Sequence, residues 1–181
     1  MSLMKLKGPA TVDDLLRMPK DGRIYELVDG EIIVSPAGMR HGEVVIKISL
    51  AIATFLDRNP IGKAYSPDTG IALPDGNIRC PDVTVVLNEK LPGGESPDTF
   101  GELVPDFVVE VLSPSDSMKE VGRKIGEFIE CGVPLVWLVD PKQKTVTAYR
   151  SLSETKQYTS DDTITAEPIL PGFSCSISKF F

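Results

Sequence analysis

The sequence is poor in residues that build several common kinds of functional site. Its 181 residues include one histidine, one tryptophan and three cysteines. Cys80, Cys131 and Cys175 are an odd, widely spaced set without the paired spacing of a metal site, so we expect reduced thiols. No Gly-rich phosphate loop and no Ser/His/Asp or Cys/His arrangement stands out. These absences argue against a zinc module, a disulfide scaffold and the common nucleophilic hydrolases.

Long apolar runs and an excess of basic residues are also missing. No apolar run approaches the roughly 20 residues that a membrane span needs, and residues 1–7 lack the apolar centre of a signal peptide. We therefore expect a cytoplasmic protein with no membrane partner. The chain has 19 basic and 26 acidic residues, a net charge of −7. This balance argues against tight, non-specific coating of nucleic acid, but it is compatible with a nucleic-acid enzyme whose acids are clustered around a metal.

The composition and element pattern predict an α/β (mixed α+β) fold. A hydrophobic content of 41% and a charged content of 25% in 181 residues fit one ordinary domain with a substantial core. The strand, helix, strand pattern over residues 107–139 indicates a crossover unit, and hairpins on either side add antiparallel strands. We therefore expect a mixed β-sheet with two main helices.

Periodicity and turn residues predict the individual elements. They are a short helix capped by Thr11, a hairpin over 24–34 that turns at Asp29-Gly30, a helix over 41–58, β structure over 63–87, a surface loop over 88–104, a buried strand over 107–112, a helix capped by 113–116, strands over 135–139 and 145–149, and a last β segment around 169–177.

Two carboxylates stand inside apolar strands. Glu110 interrupts the apolar run of residues 107–112, and glutamate is rarely buried unless it is paired or bound to a metal. Asp82 stands near the start of the strand over 83–87. Neighbouring strands lie about 4.8 Å apart, which would let the two carboxylates share one hard cation. A structural ion pair is the alternative for Glu110, and a hydrogen bond to a turn is the alternative for Asp82.

Three further residues become candidates only together with that pair. Lys124 lies 14 positions after Glu110, at the edge of the apolar stripe of the second helix, from which its ammonium could reach the sheet. The alternative is a lysine that extends from a helix border into solvent. Glu26 alternates with apolar neighbours and could simply face solvent. His41 stands where a helix begins, so the alternative to a functional role is a residue that caps the helix or faces solvent.

These motifs and their order resemble those of the putative restriction endonuclease family, which consists of bacterial proteins of the PD-(D/E)XK nuclease superfamily. The resemblance spans about residues 10–150. It implies a restriction-endonuclease-like core, a mixed β-sheet flanked by helices with extra antiparallel hairpins, in a single domain over residues 1–181. The residues that carry it are Tyr25–Glu31, Ser35-Pro36, His41-Gly42, Arg79–Val83, Pro105–Asp116, Lys124 and Gly132–Pro141.

The same resemblance implies a hydrolase site that uses Mg²⁺ or Mn²⁺ to cleave DNA phosphodiester bonds. Asp82 and Glu110 would bind the metal together with the Val111 carbonyl, and Glu26 and His41 would line the same pocket. The family's lysine should fall at Leu112 and is absent there, which makes Lys124 the candidate substitute.

The expected partner is DNA, bound weakly and in a salt-dependent manner, and a homodimer is compatible with the sequence. The candidate basic patch consists of Arg40, Lys119, Arg123 and Lys124. The alternative function is a catalytically inactive nuclease-fold module that acts in DNA binding or protein assembly.

Overall fold

The computed structural model describes residues 9–34 and 38–181 and confirms the mixed α/β fold. No helix in these two ranges is long and apolar enough to cross a membrane. The helices are α1 (Val12–Leu16), α2 (Met39–Arg58) and α3 (Met118–Glu130). The strands are β1 (Tyr25–Val28), β2 (Glu31–Val34), β3 (Gly62–Tyr65), β4 (Ile71–Ala72), β5 (Ile78–Arg79), β6 (Val83–Leu87), β7 (Gly101–Glu102), β8 (Phe107–Val111), β9 (Val136–Asp140), β10 (Thr145–Tyr149), β11 (Thr155–Tyr158), β12 (Thr163–Thr165) and β13 (Ser174–Ser176).

Six strands form a central mixed sheet in the order β11-β10-β9-β8-β6-β3. Its parallel pair is β8 and β9, which α3 connects as a crossover, and its other neighbouring pairs are antiparallel. A second sheet, in the order β2-β1-β5-β4-β7, contains the predicted hairpin with Asp29 and Gly30 at its turn. Both turn residues have positive φ, 50° and 75°, as Asp-Gly hairpin turns require. The predicted mixed sheet and added hairpins are therefore present.

Apolar layers cover both faces of the central sheet. α2 and the C-terminal segment cover one face, where Ile48, Trp137 and Phe180 are fully buried, and α3 covers the other with Ile125 and Phe128. Side chains alternate along a strand. Phe107, Val109 and Val111 therefore face the α2 side, while positions 108, 110 and 112 face the α3 side. This alternation turns Glu110 toward α3.

Helix starts agree with the sequence at α1 but not at α3. Thr11 caps α1 and forms a capping box with Asp14. The prediction that residues 113–116 cap α3 is wrong, because Ser117 is the N-cap and accepts a hydrogen bond from the Glu120 N–H. The Ser113–Asp116 segment forms a turn before the helix, in which the Asp116 side chain accepts from the Ser113 N–H. Two possible caps in one Ser-rich stretch explain the error.

Three other regions differ in detail from the prediction. The segment over 63–87 is four short strands, and the predicted loop over 88–104 contains two 3₁₀ turns and β7. β13 lies within the predicted last segment, but the polar strands β11 and β12 before it were not predicted. β11 is an edge strand whose first three residues are exposed, so it carries no apolar alternation. Residues 1–8 and 35–37, including Ser35-Pro36 of the resemblance, lie outside the described ranges.

Candidate active site

The two strand-borne carboxylates lie opposite each other on neighbouring strands. β6 and β8 run antiparallel with Val83 opposite Val109. Continuing this register by one residue sets Asp82, just before β6, opposite Glu110. Residues opposite each other in an antiparallel pair have Cβ atoms about 4.5–5.5 Å apart on the same face. Both carboxylates line one cleft of about 640 Å³.

Asp82 is fixed through one of its two carboxylate oxygens. Its Oδ2 accepts a hydrogen bond from the Val111 N–H at 2.7 Å and lies 3.2 Å from His41 Nε2. β6 begins only at Val83, so the carboxylate takes the place of a strand partner for the Val111 amide. His41 lies in the first turn of α2 with 11% of its side chain exposed. Among the described residues, Asp82 Oδ1 accepts no hydrogen bond, which leaves it able to bind another group.

Lys124 reaches the carboxylates from α3. Its Nζ lies 2.9 Å and 3.0 Å from the two Glu110 oxygens and 3.2 Å from Glu26 Oε1. The hydrogen bond is made to Glu110 Oε2. Oε1 is in ionic contact only, and within the described ranges this buried oxygen has no hydrogen-bond donor. Lys124 therefore occupies the space beside Glu110 that a lysine at position 112 would approach from the strand.

Behind Lys124, a second group of buried charged residues continues the network. Glu26 accepts a hydrogen bond from the Cys80 N–H through Oε1, and its Oε2 lies 3.3 Å from Arg79 Nη1. The Arg79 guanidinium makes a two-point contact with Glu127 of α3, and Asn77 also donates to Glu127. Arg79 is 2% exposed and Glu26 is 5% exposed.

The network holds more negative than positive charge. Glu26, Asp82, Glu110 and Glu127 supply four carboxylates, whereas Lys124 and Arg79 supply two permanent cations. The balance is therefore −2 when every carboxylate is ionised and His41 is neutral. Burying an uncompensated charge is costly, so such a site must either keep a proton or take up a cation.

The protonation of the site follows from this balance. Burial raises the pKa of Glu110 to about 8, against the pull of Lys124, and the charges of Asp82 and Glu26 add to the shift. Burial alone would lower the pKa of Lys124, but Glu110 and Glu26 outweigh it and hold that pKa above its ordinary value. The hydrogen bond to Asp82 raises the pKa of His41. Lys124 is therefore a cation at neutral pH, and Glu110 is the carboxyl that keeps a proton in the metal-free site.

The donor atoms suit a hard divalent cation. No three His, Cys, Asp or Glu side chains form a metal cluster in the part of the chain that the structure describes. The donors are instead two carboxylates, with Asp82 Oδ1 and Glu110 Oε1 lacking hydrogen bonds, and the Val111 carbonyl. In an extended residue the N–H and C=O point to the same side, so this carbonyl faces the side where Asp82 meets the Val111 amide. Oxygen donors of this kind bind Mg²⁺ with several waters retained.

The cysteine in the cleft, unlike the carboxylates, is not suited to binding a metal. Cys80 lines the cleft beside Asp82, and burial raises the pKa of its thiol to about 12. A neutral thiol is a poor nucleophile and a poor metal ligand. Cys80 contributes its backbone N–H, which positions Glu26.

All five side chains proposed from the sequence line this cleft, but the basic patch is not assembled there. Of its four residues, Arg123 and Lys124 line the cleft while Arg40 and Lys119 do not. Arg123 donates to Asp29 at 2.8 Å, and Lys124 is held by Glu110 and Glu26. The rim is acidic, with Asp29, Glu31, Asp116 and Glu120 among its residues.

Sequence reasoning gave no role to Asn77, Arg79 or Glu127, although Arg79 belongs to the Arg79–Val83 motif of the resemblance. Arg79 directly precedes Cys80-Pro81-Asp82, and Glu127 follows Lys124 by three positions on α3, next to the buried Phe128. The sequence carries no signal for Glu127, because at about 100° per residue it lies well away from the apolar stripe of Val121, Ile125 and Phe128.

The fold and the paired carboxylates with an adjacent lysine define a nuclease-like protein of the restriction-endonuclease class. The model of the Uma2 family, described as putative restriction endonucleases, matches residues 12–178. The chain therefore belongs to this family, and the resemblance found in the sequence is confirmed.

The fold is also that of a solved structure of a putative nuclease. The chain is similar to the crystal structure of a putative nuclease of DUF820 from Anabaena variabilis ATCC 29413, with 25% identity and a TM-score of 0.83. The similarity covers 96% of this chain and 98% of the other. Comparison with curated proteins gives no match.

Proposed function

We propose that this protein is a Mg²⁺- or Mn²⁺-dependent nuclease that hydrolyses DNA phosphodiester bonds. The observation that carries the proposal is the meeting of Asp82, Glu110 and Lys124 in one cleft. Within the described residues, two of the carboxylate oxygens accept no hydrogen bond, and the network carries a charge of −2 when all its carboxylates are ionised and His41 is neutral. Membership of the Uma2 family supports nuclease activity. The choice of DNA follows the family resemblance, and the choice of metal also draws on the oxygen donors of the site.

Asp82, Glu110 and the Val111 carbonyl would hold the cation. When bound, a divalent cation supplies Lewis-acid stabilisation to the scissile phosphate and lowers the pKa of the attacking water. His41 and the Val111 amide hold Asp82 Oδ2, which orients Oδ1 for binding. Partners of this kind around a metal ligand typically contribute about 10- to 100-fold in metal affinity.

Lys124 would act as a fixed positive charge. Because Glu110 and Glu26 keep its pKa above the ordinary value, the ammonium retains its proton at neutral pH and cannot serve as a base. It can donate a hydrogen bond to the attacking water or to the phosphate, where negative charge develops in the transition state. Glu26 supports this role, because its Oε1 contacts the ammonium at 3.2 Å and is itself held by the Cys80 N–H.

Leu112 does not prevent this chemistry, because the chemistry depends on where the ammonium lies and not on whether a strand or a helix carries the lysine. Leu112 packs on the α3 side of the sheet, the same side as Glu110. A lysine from α3 reaches that side directly. The proposal therefore assigns to Lys124 the role that the superfamily gives to a strand lysine.

A cleavage assay tests the proposal. Purified protein is incubated with plasmid and linear DNA in EDTA, Mg²⁺ or Mn²⁺, alongside Glu110→Gln and Lys124→Met. We expect cleavage only with a divalent metal and its loss in both variants. Lys90→Met is the matched control, because the Lys90–Asp106 ion pair lies at the opposite end of β8 and should not affect cleavage. Absence of cleavage with every metal and nucleic acid would instead favour the non-catalytic module.

A further inference from the structure

Arg79 and Glu127 are charged residues with little exposed surface, and Arg79 lies in the wall of the cleft. Arg79 donates from Nε to Glu127 Oε1 at 2.8 Å and from Nη2 to Glu127 Oε2. Their residues are 2% and 9% exposed. Burial would raise the pKa of Glu127, but the hydrogen bonds from Arg79 and Asn77 hold it below its ordinary value, so this is an ionised pair.

The pair closes a ring of contacts around Lys124. Glu127 lies one helical turn after Lys124 on α3 and is held by Arg79 of β5. The same guanidinium contacts Glu26 of β1, and Glu26 contacts the Lys124 ammonium. The ring thus returns to α3 through two separate salt bridges, and it joins the helix to the second sheet.

Asn77 extends the ring to the hairpin turn. Its Nδ2 donates to Glu127 Oε1 at 2.9 Å, while its Oδ1 accepts from the Asp29 N–H at 2.8 Å. Glu127 Oε1 therefore accepts two hydrogen bonds, from Arg79 and Asn77. A two-point guanidinium contact and an amide fix a carboxylate in orientation as well as distance.

The need for such a ring follows from where the lysine is. A catalytic lysine on a strand is positioned by the same backbone that carries the neighbouring acid. Lys124 is carried by a helix, so its distance to Glu110 on β8 depends on how α3 sits on the sheets. Displacements of about 1 Å at a reacting centre can cost about 100-fold in rate.

We propose that Arg79 and Glu127 are positioning residues that fix α3, and through Glu26 the Lys124 ammonium, against Glu110. The inference deepens the proposed nuclease function and rests on it for its kinetic consequence. Its structural part concerns the order of the Lys124 side chain and can be tested without metal or substrate.

The main variant removes both charges of the pair at once. Arg79→Met alone leaves buried carboxylates unpaired and can unfold the protein. Arg79→Met/Glu127→Gln is charge-neutral and keeps the amide contact to Asn77. Glu127→Gln alone is the milder variant, since it retains part of the Arg79 contact. We expect both to fold, as measured by circular dichroism and thermal unfolding.

The first readout is the order of the Lys124 ammonium, followed in metal-free protein by ¹H–¹⁵N spectra of lysine side chains. An ammonium held by three carboxylate oxygens gives a slowly exchanging signal, which Lys124→Met assigns. We expect the double variant to lose this signal and Glu127→Gln to weaken it, while Lys90→Met leaves it unchanged. A wild-type Lys124 signal in the folded double variant overturns the proposal, whether or not the protein cleaves DNA.

The second readout is the split between kcat and KM. We expect the double variant to lose about tenfold or more in kcat with KM within about threefold of wild type. Adding Leu112→Lys should restore part of the rate, because a strand lysine does not depend on α3. If kcat instead falls with thermal stability by the same relation in Lys90→Met and in the double variant, the Arg79–Glu127 pair has only a structural role and the proposal is overturned. If the wild type itself does not cleave, the nuclease function fails, and the ammonium spectra still decide the positioning role.

Discussion

Replacing Glu110 with glutamine should remove a loss of stability that the metal-free protein shows as the pH rises. Burial raises the pKa of this carboxyl from 4.5 to about 8. Between those values the native state keeps a proton that the unfolded chain releases. Because the native state binds more protons in that window, the free energy of unfolding must fall as pH rises through it.

The size of the effect follows from the shift. A difference of roughly three and a half pKa units corresponds to about 5 kcal/mol, at about 1.4 kcal/mol per unit. This is an upper limit, because water and side-chain relaxation reduce the cost of the ionised form. Only 13% of the Glu110 side chain is exposed, so little of the effect is lost to solvent screening. We therefore expect a loss of about 2–4 kcal/mol between pH 5 and pH 8.5 that is absent in Glu110→Gln.

Urea unfolding in EDTA at several pH values measures this difference. Glu130→Gln, an exposed glutamate at the end of the same helix, is the matched control and should follow the wild type. Mg²⁺ should stabilise the wild type most at high pH and leave Glu110→Gln almost unchanged. Parallel pH profiles for wild type and Glu110→Gln would refute the reasoning, since Glu110 would then be ionised at no cost.

Three further results are expected. Lys124→Met should lower cleavage at least tenfold, about 1.4 kcal/mol of barrier, while metal affinity is kept, and Leu112→Lys in that background should restore some activity; undiminished cleavage by Lys124→Met would remove it from the site. His41→Ala should weaken Mg²⁺ binding about tenfold by calorimetry, whereas His41→Gln can still donate to Asp82 and should retain most of the affinity; equal affinities for wild type and His41→Ala would exclude this role. DNA affinity should be weak, and Asp29→Ala should strengthen it because the substitution frees the Arg123 guanidinium. The salt dependence should also become steeper, by about one unit of slope for each additional phosphate that is neutralised. An unchanged slope would show that Arg123 does not contact the DNA backbone.

The sequence predicted the elements that have strong local signals. The Asp29-Gly30 turn, the helix that ends at Asn59-Pro60 and the buried strand around Glu110 each follow from a few adjacent residues. The start of α3 was misplaced because Ser113 and Ser117 both fit a cap, and the edge strand β11 was missed because nothing in it is buried deeply. That residues 1–181 form one domain stays a prediction.

The site was only partly predictable for a related reason. An acid inside an apolar strand, as at Glu110, is visible in the sequence because it conflicts with its neighbours. Arg79 and Glu127 show no such conflict, since charged residues on short strands and helices usually meet solvent. Their pairing depends on how α3 lies against the second sheet, and 48 positions of sequence separate them. The register of β6 on β8 explains the meeting of Asp82 and Glu110, but only the folded chain shows that Lys124 joins them.

The central claim is that the site lacks positive charge and that a divalent cation supplies it at Asp82 and Glu110. Calorimetric titration of Mg²⁺ into the protein at pH 7, in buffers of different ionisation enthalpy, tests this claim most directly. With the pKa of Glu110 raised to about 8, this carboxyl is mostly protonated at pH 7, so that binding of one ion should release protons, up to about one per ion. Asp82→Asn should bind the ion much more weakly, and Glu110→Gln should release no proton. Absence of binding, or binding that both variants retain with unchanged proton release, would contradict the account.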